Sequence, residues 1–257
     1  MKVVAIIQAR MSSTRLPGKV LADVCGQPLL HHVVCRARCA RTPDQVVVAT
    51  SDRPADDAVV RFCEMSSVPC FRGSEEDVLD RYYQAARHFQ AETVVRLTAD
   101  CPLLDPDVVD RVVRAFGEGD RDYVSNTLDR TYPDGLDVEV FSFTALARAW
   151  REARLPSERE HVTPYIWKHP ELFRLGNVKQ EEDLSDLRWT VDEPRDLAFV
   201  RAVYRWLGPR SDFGMKEVLA LLREHPELGR INAGIERNEG YRRSLERDTI
   251  QERVEAD

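Results

Sequence analysis

No apolar run in this 257-residue chain is long enough to span a bilayer, and its N-terminus lacks the apolar core of a signal peptide. Both absences predict a cytoplasmic protein with no membrane partner. Cysteine is scattered: Cys25, Cys35, Cys39, Cys63, Cys70 and Cys101 form no CxxC pair, so reduced thiols packed as small hydrophobes are expected, not a zinc site. Positive charge is in deficit. Thirty-seven basic against 44 acidic side chains leave a net charge of −7, which speaks against general nucleic-acid binding. The two commonest phosphate-loop signatures are also missing: there is no GxGxxG, and Val20, not Ser or Thr, follows Lys19. Internal repeats and low-complexity segments are lacking too.

What the chain does hold is unevenly placed. Residues 1–41 carry seven Lys and Arg against Asp23 alone, a net of +6, which leaves −13 for the remainder. The apolar run Val3–Ile7 leads straight into Gln8-Ala9-Arg10-Met11-Ser12-Ser13-Thr14-Arg15-Leu16-Pro17-Gly18-Lys19. An apolar strand that delivers a basic, hydroxyl-rich loop suits a polyphosphate: cations oppose its charge, and hydroxyls and backbone N–H groups complete its hydrogen bonds. The alternative is a surface loop with incidental charge, which its position after a buried strand weakens.

The first half alternates strand and helix patterns: strands at Val3–Ile7, Gln45–Thr50, Val68–Phe71 and Thr93–Leu97, with helices at Pro28–Cys39, Ala55–Met65, Glu75 to about Phe89, and Pro106–Phe116. Apolar strands without a polar alternate face predict an α/β fold, a Rossmann-like doubly wound and mainly parallel sheet covered on both sides. After Arg121 the pattern predicts strands at Tyr123–Ser125, Leu136–Phe141, Leu172–Val178 and Leu187–Thr190, and helices at Ser142–Ala153, around Tyr165 and Trp167, and from Pro194 through Leu207. One nucleotide-binding domain over 1–212 is expected, with a β-rich acceptor-binding excursion over 123–180 and a helical extension over 213–257.

Two aspartates stand where strands end. Asp100 follows Thr93–Leu97, at the carboxyl edge where open α/β sheets bind ligands, and can hold Mg²⁺ together with phosphate oxygens. Asp105, just before Pro106, is the better helix cap and releases Asp100 for chemistry. Asp192 follows Leu187–Thr190; capping a helix start is its common role, and beside Asp100 it becomes a second metal ligand. Asp137 and Glu139 alternate with Leu136, Val138 and Val140, so they share one strand face. Asp134, Glu160 and His161 add polar groups whose plain alternative is surface charge; a packing or polar role suits His161 as well as that of a general base.

On AIIQARMSSTRLPGK (Ala5–Lys19), VVVATSD (Val46–Asp52), FRGSEEDVLDRYYQAA (Phe71–Ala86), LTADCPLLDP (Leu97–Pro106), YPDGLDVEVF (Tyr132–Phe141), REHVTPYI (Arg159–Ile166), WTVDEPRDL (Trp189–Leu197) and INAGIERNEGYRRSL (Ile231–Leu245), the chain resembles the CMP-sugar cytidylyltransferases, especially their spore-coat-polysaccharide branch. The resemblance implies transfer of CMP from CTP to a sugar, a 2-keto-3-deoxy sugar acid, with release of pyrophosphate for surface polysaccharide synthesis, and a homodimer. It assigns Arg10 and Lys19 to the triphosphate with Ser12, Ser13 and Arg15. Asp100 and Asp192 fall to Mg²⁺, and Ala9, Thr50, Ser51, Arg72 and Ser74 to the cytidine. Thr98 joins the nucleotide-binding set; Arg10, Lys19, Asp100 and Asp192 are the catalytic group. Asp137, Glu139, Glu160 and His161 are the acceptor-binding group, with Arg130 and Arg159 as candidate partners for a carboxylate, and Trp167 and Phe173 sit where a dimer contact could form. Gln8 and Cys101 depart from the Pro and Glu usual in the octulosonate enzymes. Remaining alternatives are another nucleoside triphosphate, a non-sugar acceptor such as a phosphonate, a glycosyltransferase of related fold using Asp105-Pro106-Asp107 as its DxD, or a non-catalytic nucleotide-binding protein.

Overall fold

β1 (Val3–Gln8) is apolar from Val3 to Ile7 because it is central: Val3, Ala5 and Ile7 enter one core while Val4 and Ile6 enter the other. This is a computed structural model, and it describes residues 1–208, 212–237 and 239–256, with side chains to residue 248. After β1 come a two-stranded hairpin, β2 (Asp23–Val24) and β3 (Gln27–Pro28), then α1 (Leu29–Cys39), β4 (Gln45–Ser51), α2 (Asp57–Met65), β5 (Cys70–Gly73), α3 (Val78–His88), β6 (Thr93–Thr98), α4 (Pro106–Gly117) and β7 (Tyr123–Ser125). The second half holds β8 (Glu139–Ser142), α5 (Phe143–Glu152), α6 (Pro156–His161), α7 (Pro164–Lys168), β9 (Leu175–Asn177), α8 (Pro194–Leu207), α9 (Met215–Glu224), α10 (Pro226–Gly229) and α11 (Glu239–Ala256).

Seven strands form one sheet in the order β5-β4-β1-β6-β8-β7-β9. β8 alone runs antiparallel to its neighbours. The doubly wound α/β fold expected from the alternation is the fold observed. The chain winds from β1 outward to β4 and β5, then returns to place β6 on the other side of β1. That reversal opens a crevice beyond the carboxyl ends of β1 and β6, where residues 9–19 and Asp100 emerge. Among the described residues no helix is long and apolar enough to cross a membrane.

Several boundaries differ from the sequence pattern. The helix expected from Glu75 starts at Val78, because the Asp77 carboxylate accepts from the Asp80 N–H at 2.9 Å and sets the cap there. The strand expected at Leu136–Phe141 begins only at Glu139. Ahead of it the Asn126 side chain acts as a substitute neighbour, donating to the Leu136 carbonyl and accepting from the Val138 N–H, both at 2.8 Å. Leu187–Thr190 is not a strand. It makes one isolated bridge, Asp134 to Arg188, clasped by the turn at Gly135. Gly135 has φ of 113°, and a Cβ there would lie 2.7 Å from the Thr190 nitrogen. Leu172–Val178 contracts to β9, and the charged stretch Ser157–His161 lies in α6. The segment 123–180 extends the main sheet with β8, β7 and β9 and also carries three helices, α5 to α7.

Candidate active site

The loop after β1 is folded around one carbonyl. Met11 O accepts from the N–H groups of Ser13 and Gly18, both at 2.9 Å. Gly18 takes φ of 72°, a left-handed conformation that suits glycine, and launches a single tight turn at Lys19–Leu21. The loop is tied to the end of β4 by Asp56, a buried carboxylate that accepts from Met11 N at 2.6 Å and from the Ser51 N–H and hydroxyl. Ala9, Arg10, Ser12, Ser13, Arg15 and Lys19 thereby line one cleft of about 470 Å³.

Lys19 closes the inner end of that cleft. Its ammonium donates to Asp100 Oδ2 at 2.8 Å, to the Val191 carbonyl at 2.8 Å and to Asp192 Oδ1 at 2.9 Å. Burial disfavours a charged lysine, but the two carboxylates outweigh it and raise its pKa. Burial likewise works against an ionised Asp100, and Lys19 overrides it, holding the carboxyl at about 2. Asp192 is gripped further by Arg15 at 3.1 Å and Arg188 at 3.0 Å. Asp105 caps α4 through the N–H groups of Asp107 and Val108. The DxD-spaced pair therefore serves as a helix start.

Of the acceptor-side residues, Glu160 lines the first cleft, whereas Asp137, Glu139 and His161 line a second cavity of about 520 Å³, which shares Arg96, Thr98, Asp137, His161 and Tyr241 with the first. Glu139 lines it but is buried and committed. It pairs with Arg96 and accepts from the Tyr123 and Thr163 hydroxyls, each at 2.6 Å. Asp137 precedes the strand and receives Arg237 at 2.8 Å. Glu160 pairs with Arg247 and accepts from the Ser244 hydroxyl at 2.8 Å, and Ser244 Oγ lies 2.9 Å from His161 Nε2. Burial lowers the His161 pKa to about 4 despite Glu160. With its folded value below its unfolded one, His161 contributes stability above pH ~6.5 that is lost as pH falls through about 4. The imidazole ¹⁵N shifts of His161 are therefore expected to stay those of the neutral ring from neutral pH down to about 5. A midpoint near neutrality would overturn this environment.

Four residues assigned to the cytidine stand outside both cavities. Thr50 is buried in β4, Ser51 holds Asp56, and Ser74 Oγ accepts from Asp77 N at 3.0 Å. Arg72 pairs with Asp57 at 2.7 Å and donates to the Ser51 and Arg53 carbonyls. Arg159 is likewise turned away, onto Asp77, whereas Arg130 lines the second cavity. Trp167 lines that cavity too, and Phe173 is in the core. The first cleft also holds Arg81, Arg96, Tyr241, Arg243 and Arg247, to which the sequence assigns no site role. Arg81 and Arg96 could have been flagged as guanidinium groups on otherwise apolar, buried faces. The other three come from α11, and no local pattern announces that it returns over the cleft. Asn238, between Arg237 and Glu239, lies outside the described residues.

A family model for cytidylyltransferases matches residues 4–208, most of the chain and nearly all of the sheet. The chain belongs to the cytidylyltransferase family. It is 36% identical over 234 residues to the spore coat polysaccharide biosynthesis protein SpsF of Bacillus subtilis, covering 88% of this chain and 95% of that one. It is 30% identical over 236 residues to a 3-deoxy-manno-octulosonate cytidylyltransferase of Chlamydia trachomatis serovar A, covering 82% and 90%. A solved cytidylyltransferase from Leptospira borgpetersenii superposes with a TM-score of 0.86 at 31% identity, covering 92% of this chain and all of that one. This is a cytidylyltransferase of the CMP-sugar type, which sets aside the glycosyltransferase and non-catalytic alternatives. Its α9, α10 and α11 lie beyond the segment that the family model matches.

Proposed function

We propose that this cytidylyltransferase transfers CMP from CTP to the anomeric hydroxyl of a 2-keto-3-deoxy sugar acid, releasing pyrophosphate, and that it works in the cytoplasm for surface polysaccharide synthesis. The observation that carries this reading is the convergence of a basic loop and two aspartates on the Lys19 ammonium, next to a second cavity of mixed charge. Arg10, Arg15 and Lys19 would hold the triphosphate and oppose charge building on the leaving pyrophosphate. Within the second cavity the acids Glu139 and Asp137 are already matched by Arg96 and Arg237. An acceptor carboxylate seated against Arg130 would gain charge-assisted hydrogen bonds there. His161, neutral and held by Ser244, would orient hydroxyls rather than take the proton.

Among the described residues no group of three or more His, Cys, Asp or Glu side chains forms a complete metal cage. Two carboxylates sharing one cation position do fit Mg²⁺, which takes one or two carboxylates and fills its octahedron with phosphate oxygens and water. Asp100 and Asp192 would hold it, and when bound it supplies charge neutralisation at the α-phosphate. Asp100 is ionised at every physiological pH, as this role requires.

Thermal stability with each of the four ribonucleoside triphosphates, with and without Mg²⁺, tests the nucleotide, since only selective binding to the folded state raises the melting temperature. A shift with CTP alone, followed by pyrophosphate release with a sugar acid, is expected; a larger shift with another base would overturn the assignment. A further variant tests the cleft itself. Glu239 on α11 lines it and pairs with Arg15 at 2.9 Å, so an anion occupies a cation intended for phosphate. Glu239→Gln is expected to tighten CTP binding by roughly three- to ten-fold, read by calorimetry, from relief of like-charge repulsion worth about 1 kcal/mol. Weaker binding would instead make Glu239 part of the nucleotide site.

A further inference from the structure

The aspartate proposed to hold the metal is not left to its own loop. Arg188 lies beneath it, and its guanidinium is spread over three carboxylates: Asp192 at 3.0 Å, Asp134 at 3.0 Å, and Asp196 at 2.9 Å through Nε and 3.0 Å through Nη2. Asp196 is fully buried and turns back on the same loop, accepting from the N–H groups of Asp192 and Glu193 at 3.0 Å each. The Asp192 side chain and its backbone are thus fixed by one buried pair.

That pair is locked by the segment beyond the family match. Asn232, buried in the turn after α10, donates to the Arg188 carbonyl at 2.9 Å and to Asp196 Oδ1 at 3.0 Å. Arg237 lies 3.3 Å from Asp134 and 2.8 Å from Asp137. Charges therefore alternate without a break from Lys19 through Asp192, Arg188, Asp134 and Arg237 to Asp137, from the nucleotide cleft to the acceptor cavity. A merely structural Arg–Asp pair needs neither a shared metal-side carboxylate nor a clamp of two side chains from the C-terminal segment.

We propose that Arg188, with Asn232 and Arg237 from the C-terminal extension, forms a set of positioning residues that aims the Asp192 carboxylate at the metal and ties that aim to the acceptor side. The inference rests on the reading of Asp192 as a metal ligand. It gives the C-terminal segment, which lies beyond the family model's residues 4–208, a part in the reaction. Lysine at position 188 would keep the charge but could not bridge three carboxylates, because its single ammonium lacks the planar fork.

The full-length protein carrying Arg188→Lys, Asn232→Ala, Arg237→Gln or Asp192→Asn would be titrated with Mn²⁺ in the presence of CTP, following bound metal by electron paramagnetic resonance, and CTP binding would be measured without metal. Arg188→Lys and Asn232→Ala are expected to weaken Mn²⁺ binding about ten-fold or more, as loss of a ligand's supporting hydrogen bonds does elsewhere, while metal-free CTP affinity holds. Arg237→Gln should act in the same direction with a smaller shift. Asn232→Ala and Arg237→Gln keep the test decisive if Arg188→Lys does not fold. Mn²⁺ affinity unchanged in these variants, with Asp192→Asn weakened, would overturn the positioning role alone. Asp192→Asn with unchanged metal affinity would overturn the metal assignment and this inference with it. Equal losses in metal and metal-free CTP binding would reduce the set to a structural support.

Discussion

Asp100→Asn is expected to lower turnover by about 10²–10³-fold, the scale of removing one preorganised electrostatic group, while changing metal-free CTP affinity by less than about three-fold. The amide is nearly isosteric and still accepts from Lys19, whose ammonium lies 2.8 Å from Asp100 Oδ2, so the cleft keeps its shape. What disappears is one of the two negative charges facing Lys19. If those charges serve the transition state through a metal, the loss falls on the rate and on the metal requirement, and CTP still binds through Arg10, Arg15 and Lys19. Steady-state pyrophosphate release across a Mg²⁺ series, paired with calorimetric CTP binding, checks both halves. Near-normal turnover would remove Asp100 from the chemistry.

Lys19→Met tests the opposite charge, and its expected effect is larger because it reaches stability as well as rate. The apolar stem of the side chain survives, but the Asp100 and Asp192 carboxylates face each other without the cation between them. Breaking a buried ion pair costs about 3–5 kcal/mol, and the low end applies because both aspartates keep about a quarter of their side-chain surface exposed. A loss of about 3 kcal/mol lowers the melting temperature of a protein of this size by roughly 10 °C. Turnover should fall by at least about 10²-fold with the loss of a charge opposing pyrophosphate. Mg²⁺ alone, which can take the vacated cation position, should recover part of the lost melting temperature in this variant and do little for the parent protein. Scanning calorimetry with and without Mg²⁺ reads this directly. A variant as stable as the parent, and indifferent to Mg²⁺, would show that Lys19 does not hold the two aspartates together.

The legibility of this site follows the range of the interactions that build it. The Arg10–Lys19 loop could be read because its composition and its place after an apolar strand are contiguous in the chain. Asp100 and Asp192 stood out for the same reason, each at the end of an apolar run, with Asp105 visibly better suited to cap α4. The assignments that the geometry turns elsewhere depended on choosing a partner for a polar group. Ser51 could face a base or a buried Asp56, and the structure gives it Asp56. Glu139 shares a strand pattern with Asp137, yet Arg96 from the neighbouring strand neutralises it. Leu187–Thr190 has strand-like residues but pairs through a single bridge, because Gly135 brings another loop against its backbone.

The sequence by itself determined the alternation that winds the sheet, the strand ends that deliver charge to one edge, and the family to which the chain belongs. Only the tertiary structure decided which charges meet. Lys19 finds Asp100 across 81 residues and Asp192 across 173, and Arg15 finds Glu239 across 224. Periodicity is a local property of the backbone, fixed by which face of a strand or helix must leave water. Charge pairing in a cleft depends on which segments the sheet order brings to the same edge, and on burial that makes an unmatched charge costly. α11 illustrates the difference: its sequence is charged along its length, and only its position over the cleft makes Glu239, Arg243 and Arg247 line that cleft.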